Sequence, residues 1–200
     1  WRDAENSPEI VAAQELAESS RITWSSSLGF DLTGSSGNTE DFGLGLHLEA
    51  TYGNKLQSTD MYISHTNSQQ EGIAVVDETK AGAEYSSQFR ENLAWYAKSD
   101  LENDKLEDIN LRATAATGLK YIVWNEETAE LSLRAGAAFR YEAYDASATG
   151  NLDAPAIDLG LEYFREFGEL LSFDTDLGFV PSLEDFGDYL LTQDSGLEMP

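Results

Sequence analysis

The chain contains no cysteine and only four prolines in its 200 residues. Disulfides, thiolate metal sites and thiol nucleophiles are therefore excluded, and the redox compartment is left open. Basic residues are scarce: 12 Lys and Arg stand against 37 Asp and Glu, giving a formal charge of −25 and a pI near 4.1. A nucleic-acid partner is excluded, because a phosphate backbone would be repelled and no basic stripe exists to hold it. No run approaches the roughly 20 continuous apolar residues of a spanning helix, and no basic-then-apolar leader follows Trp1. Neither absence bears on a membrane barrel, in which only alternate residues meet lipid. Trp1 is read as the start of a mature or trimmed chain. The length fits one structural unit, and no linker divides it.

What is present begins with one helix signal. Ser7 is placed as an N-cap and Pro8 at the first helical position, followed by helix formers over Glu9–Glu18. Its apolar face of Ile10, Val11, Ala13 and Leu16 is weak, so residues 1–20 read as a leader segment beside the main body. From Ile22 the period switches to two, the sign of strands with two unlike faces. Phe42, Leu44, Leu46, Leu48, Ala50 and Tyr52 oppose Gly43, Gly45, His47, Glu49 and Thr51. The same alternation runs over Ile22–Leu32, Ile109–Val123, Leu131–Glu142, Ile157–Tyr163 and Leu171–Phe179. Strands near 56–65, 79–87, 92–101 and 188–197 are weaker signals. The expected fold is all-β over residues 21–200: a closed antiparallel up-and-down transmembrane barrel of about ten visible strands.

Alternation alone does not decide which face meets lipid, since a soluble barrel that binds an apolar ligand would turn the same apolar face inward. Two further patterns favour apolar-outside. Links near Gly53-Asn54, Gln88–Arg90, Asn125–Glu127 and Glu166–Gly168 are tight. Those at Thr33–Asp41, Thr66–Glu78, Glu102–Glu107, Asp145–Ala154 and Pro181–Gly187 read as longer and polar, so one rim carries turns and the other loops. Aromatics of the apolar face also sort by rim. Trp24, Tyr52, Tyr121, Trp124 and Tyr163 lie beside the turns; Phe30, Phe42, Phe139, Tyr141, Phe179 and Phe186 lie beside the loops. Two aromatic girdles around an aliphatic band suit rings seated at lipid headgroups.

The segments Gly37-Asn38-Thr39, Leu101–Leu106, Leu111-Arg112, Gly118–Tyr121, Leu131–Gly136 and Phe179–Ser182 to Asp188-Tyr189 resemble the YdiY-like salt-induced outer-membrane proteins, the family of unknown function numbered 481. The resemblance spans roughly 21–200. It implies a bacterial outer-membrane barrel, a link to salt or osmotic stress, and no established activity or catalytic residues. Members of this kind continue into further strands, so twelve are expected in a full-length protein and a truncation is suspected at Met199-Pro200.

Function is expected on the lumen face. Asp31, His47 and Glu49 point there from the first hairpin. Arg112, Lys120, Arg134, Arg140 and Glu142 point there from the sixth and seventh strands, and Asp158, Glu162, Asp174 and Asp176 from the eighth and ninth. These charges either set a transverse field that orders small ions or polar solutes in a narrow pore, or fill the lumen with ion pairs in an envelope-structural barrel. Asp158, Asp174 and Asp176 offer hard oxygens to a divalent cation, but no calcium-loop signature accompanies them, so no metal and no cofactor is expected. His47 and His65 lie apart and neither belongs to a triad pattern, so no enzyme is expected. The partners implied are the lipid bilayer and small ions or polar solutes.

Overall fold

The computed structural model describes residues 20–35, 40–54, 56–126, 128–144, 151–168 and 170–199. The helix expected at Glu9–Glu18 and the tip Gly37-Asn38-Thr39 lie outside the described residues. The chain is all-β, with ten strands: β1 (Thr23–Ser35), β2 (Asp41–Asn54), β3 (Gln57–Gln70), β4 (Ile73–Arg90), β5 (Leu93–Asp104), β6 (Ile109–Glu126), β7 (Ala129–Tyr144), β8 (Leu152–Glu166), β9 (Ser172–Pro181) and β10 (Tyr189–Glu198). Each pairs antiparallel with the next, in the order β1 to β10. The up-and-down meander expected from the alternation is therefore observed.

The sheet curls like half a barrel, with the polar face concave. Tyr96 on β5 reaches Asp158 on β8, three strand spacings or about 14 Å apart in a flat sheet. That span closes only when the strands bend toward the face bearing these side chains. The expected closure differs: β1 and β10 are the two edges, and no ladder joins them among the described residues. Alternation specifies that each strand has two faces, whereas closure needs an edge-to-edge ladder that no local pattern encodes.

Three local differences have identifiable causes. The expected long loop at Thr66–Glu78 is instead the end of a hairpin closed by Glu71 and Gly72 alone, with φ of 52° and 76°. Positive φ at both central positions is the twist-matched two-residue turn, and the polar Asn67 and Gln69 made a paired strand look like a loop. The rim contrast holds between the tight link from Arg90 to Leu93 and the connections 105–108 and 182–188 on the other rim, but the link expected to be tight at Glu166–Gly168 is longer, since β8 ends at Glu166 and β9 starts only at Ser172. Ile109, expected on the apolar face, is 2% exposed whereas Leu111 is 38% exposed. A register shift between them breaks the period of two. A second shift between Ile122 and Trp124 puts the even-numbered Trp124 on the same face as Tyr121.

Candidate functional site

The ladders fix which side chains share a face, because residues directly paired across strands point the same way. One polar row runs His47, Ser64, Lys80, Glu102, Arg112, Glu142 from β2 to β7. Another runs Lys120, Arg134, Gly160, Gly178, Thr192 from β6 to β10. Extending these rows puts Asp31, His47, Glu49, Arg112, Lys120, Arg134, Arg140, Glu142, Asp158, Glu162, Asp174 and Asp176 on the concave face.

Asp158 is the centre of what this face brings together. Its side chain is fully buried. Tyr96 Oη donates to Oδ2 at 2.5 Å. Lys98 Nζ stands 3.1 Å from Oδ1 and Arg134 Nε 3.3 Å from Oδ2, as ion-pair contacts whose angles fall short of hydrogen bonds. Arg134 continues outward, donating from Nη1 to Glu162 at 3.0 Å and from both Nη atoms to Asp176 at 2.9 and 3.1 Å. Lys120 Nζ bridges Glu84 at 3.1 Å and Glu162 at 2.8 Å. The bidentate Arg134–Asp176 fork is the strong form of such a contact.

A second layer lies nearer the loop rim. Arg112 donates from Nη1 to Glu102 at 2.9 Å and from Nε to Glu142 at 3.0 Å. Arg140 donates from Nη2 to Glu142 at 2.9 Å and to Asp188 at 3.1 Å, and Tyr144 donates its hydroxyl to Glu142. A row of small residues, Ala116, Ala138 and Ala156, separates the layers. Lys98, paired with Ala116, extends toward Asp158 beside that row.

Glycines make room for these crossings. Tyr62 on β3 donates to Asp100 on β5 at 3.0 Å, and a Cβ at the intervening Gly82 would stand 2.3 Å from the Tyr62 ring. Arg134 on β7 reaches Asp176 on β9 across Gly160, where a Cβ would meet its Nε at 2.4 Å. Tyr96 passes Gly136, whose Cβ would lie 2.5 Å from the tyrosine hydroxyl oxygen. The arrangement recurs: a long side chain lies across a glycine strand and engages a carboxylate beyond it. Glycine costs backbone entropy inside a strand, and close approach is the usual reason to retain it.

Asp31, Glu49 and Asp174 remain outside this network. Glu49 accepts from Ser27 at 3.2 Å and pairs with His47 Nε2 at 2.8 Å. Serine and histidine thus meet the carboxylate from two sides and the imidazole does not touch the hydroxyl, so the relay needed for a serine nucleophile is not assembled. His65 lies on the opposite face, its Nδ1 2.9 Å from Thr79 Oγ1. Glu78, Glu102 and Asp104 bring oxygens within 4.8 Å of one another, with Lys80 2.7 Å from Glu78 and Arg112 2.9 Å from Glu102 supplying positive charge. Asp176, one of the carboxylates considered as a hard-cation ligand, is occupied by Arg134.

Sequence reading missed Glu84, Tyr96, Lys98, Glu102 and Asp188. The signal for β5 was present: Tyr96, Lys98, Asp100 and Glu102 alternate with Ala97, Ser99 and Leu101. The weakly apolar Ala and Ser positions hid the register. Asp188 lies in a connection, where no periodicity exists to place it.

The convex face inverts the usual pattern of a protein in water. Leu133 is 43% exposed while its neighbour Arg134 is 5% exposed, and Leu46 and Leu48 are exposed on the face opposite His47 and Glu49. Aromatics ring the turn rim as pairs: Trp24–Tyr52 at 6.0 Å, Tyr85–Trp95 at 5.2 Å, Trp124–Tyr163 at 6.5 Å and Tyr163–Phe173 at 6.3 Å. Tyr85, Trp95 and Phe173 join the residues expected there. Toward the loop rim, Phe30, Phe42, Phe139 and Phe179 are exposed on this face and Tyr141 half-buried, with Tyr189 5.4 Å from Phe179.

No curated protein and no solved structure matches the chain. A family model matches residues 27–200, nearly the whole of the sheet. The chain belongs to the family described as Protein of unknown function, DUF481.

Proposed function

We propose that this protein is a non-enzymatic β-barrel of the bacterial outer membrane that lines a narrow pore for small ions or polar solutes. One observation carries the reading: the apolar face is exposed while the charged face is buried along β5–β8. Monomers in water rarely expose apolar patches beyond a few hundred Å², whereas a barrel wall in lipid needs an apolar exterior edged by aromatics. A soluble barrel holding an apolar ligand would need Leu44, Leu46, Leu131 and Leu133 on the concave side, and they share the convex one. The family resemblance supports the envelope location and a role under salt or osmotic stress. A second reading, a sealed envelope-structural barrel, draws on the ion pairs that fill the surface of β5–β8.

Lipid contact is read by quenching. In vesicles containing brominated lipids, the fluorescence of Trp24, Trp95 and Trp124, all exposed on the convex face, is expected to fall well below its value in unbrominated vesicles. An unquenched, detergent-free soluble protein would sink the membrane reading. Substitution separates the two environments further. Leu133→Arg is expected to cost about 2–4 kcal/mol if the site faces the bilayer midplane, against about 0.5 kcal/mol for an exposed site in water. Denaturant titration of folding into vesicles measures it. Conductance in planar bilayers then decides between pore and sealed barrel, and an impermeable full-length barrel leaves only the structural role.

A further inference from the structure

We infer that the pore passes cations in preference to anions, because the concave face neutralises its own bases and leaves acids uncovered on its two flanks. This inference rests on the pore reading above. Six basic side chains lie on that face within the strands, and each is held by a carboxylate. Lys80 is 2.7 Å from Glu78, Lys98 3.1 Å from Asp158, and Arg112 2.9 Å from Glu102. Lys120 is 2.8 Å from Glu162, Arg134 2.9 Å from Asp176, and Arg140 2.9 Å from Glu142. All six sit on β4–β7. On β1–β3 and β9–β10 the same face carries Asp31, Glu49, Asp60, Asp174 and Asp194, and none has a lysine or arginine ion-pair partner among the described residues.

The two walls therefore differ in kind. On β4–β8 every one of these bases is cancelled by an acid within a few ångströms, so the field of those pairs falls away quickly from the surface and no positive charge is left over among them. On the flanks the acids are exposed and no lysine or arginine holds them among the described residues; Asp60 accepts from Thr51 at 2.7 Å and Ser58 at 3.0 Å, and Glu49 meets Ser27 and His47. Their charge is left to the lumen, where a ring of carboxylates concentrates cations and repels anions. A transverse field between a cationic and an anionic wall, one of the arrangements considered from the sequence, is replaced by a one-signed field.

The test is the reversal potential of the full-length protein in planar bilayers under a KCl gradient. Potassium is expected to permeate about fivefold more readily than chloride near 0.1 M salt, and the ratio should fall toward parity at 1 M, where screening shortens to about 3 Å. Asp31, Asp60 and Asp194 are exposed, so the triple variant Asp31→Asn/Asp60→Asn/Asp194→Asn should fold and lose at least about half of that preference. Conductance with no preference, with a preference for chloride, or with a ratio unmoved in the triple variant overturns the inference and leaves the pore standing. Absence of conductance removes the pore reading itself, and the inference with it.

Discussion

Asp158→Ala is expected to destabilise the folded protein by about 3–5 kcal/mol, the cost of leaving buried charges without their counter-ion. The carboxylate is fully buried and faces Tyr96, Lys98 and Arg134. Removing it strands a tyrosine hydroxyl and an ammonium group, while Arg134 keeps Glu162 and Asp176. Loss therefore falls mainly on β5, whose two long side chains lose their anchor on β8. The double variant Lys98→Met/Asp158→Ala removes the stranded ammonium and should recover about 1–3 kcal/mol relative to the sum of the single changes. Denaturant midpoints of the four proteins, measured in the same lipid or detergent, give that coupling. Should Asp158→Ala unfold at the parent midpoint, the network contributes nothing to stability and Asp158 is a spectator.

Gly118→Ala is the smallest change with a comparable expected effect. A methyl at this position would lie 2.2 Å from the carbonyl oxygen of Ala135 and 2.4 Å from Gly136 Cα, both backbone atoms of β7. Backbone cannot rotate aside, so β6 and β7 would have to part beneath Tyr96, at an expected cost of about 3–5 kcal/mol. Gly29 supplies the comparison. It occupies the same face, but its added methyl would meet His47 Cβ at an ordinary 3.6 Å, so Gly29→Ala should stay within about 0.5 kcal/mol of the parent. Thermal or denaturant unfolding of the two alanine variants side by side decides the matter. Equal effects would mean that the sheet yields at β6–β7 and that the close glycine contact is not a constraint.

Both effects concern the concave face, and they bear on the proposed pore in different ways. The β5–β8 wall holds itself through buried charge, so neutralising it is expected to unfold the protein before it changes any flux. The flanking acids hold nothing comparable, so under the proposed pore function their exchange is expected to alter selectivity at little structural expense. Stability and the proposed permeation are thus tested on different strands of the same face.

Much of this was legible in the residues alone. The period of two in β2, β7 and β8 fixed which residues share a face, because a strand offers only two directions and a one-residue slip would reverse every side chain. Aromatics sorted by rim in the same way. The two bulges in β6, the two-residue turn at Glu71-Gly72 and the register of β5 were hidden, since each depends on how a neighbouring strand pairs and no apolar alternation marks it. The opposed charge of β6–β7 and β8–β9 was visible as composition on a face. Its conversion into ion pairs that cross glycines required the curvature of the sheet, which brings β5 within reach of β8. Sequence by itself determined the two-faced meander and its apolar side. Tertiary structure alone decided which charges are spent on one another and which remain free, because that depends on distances between strands that local patterns do not carry.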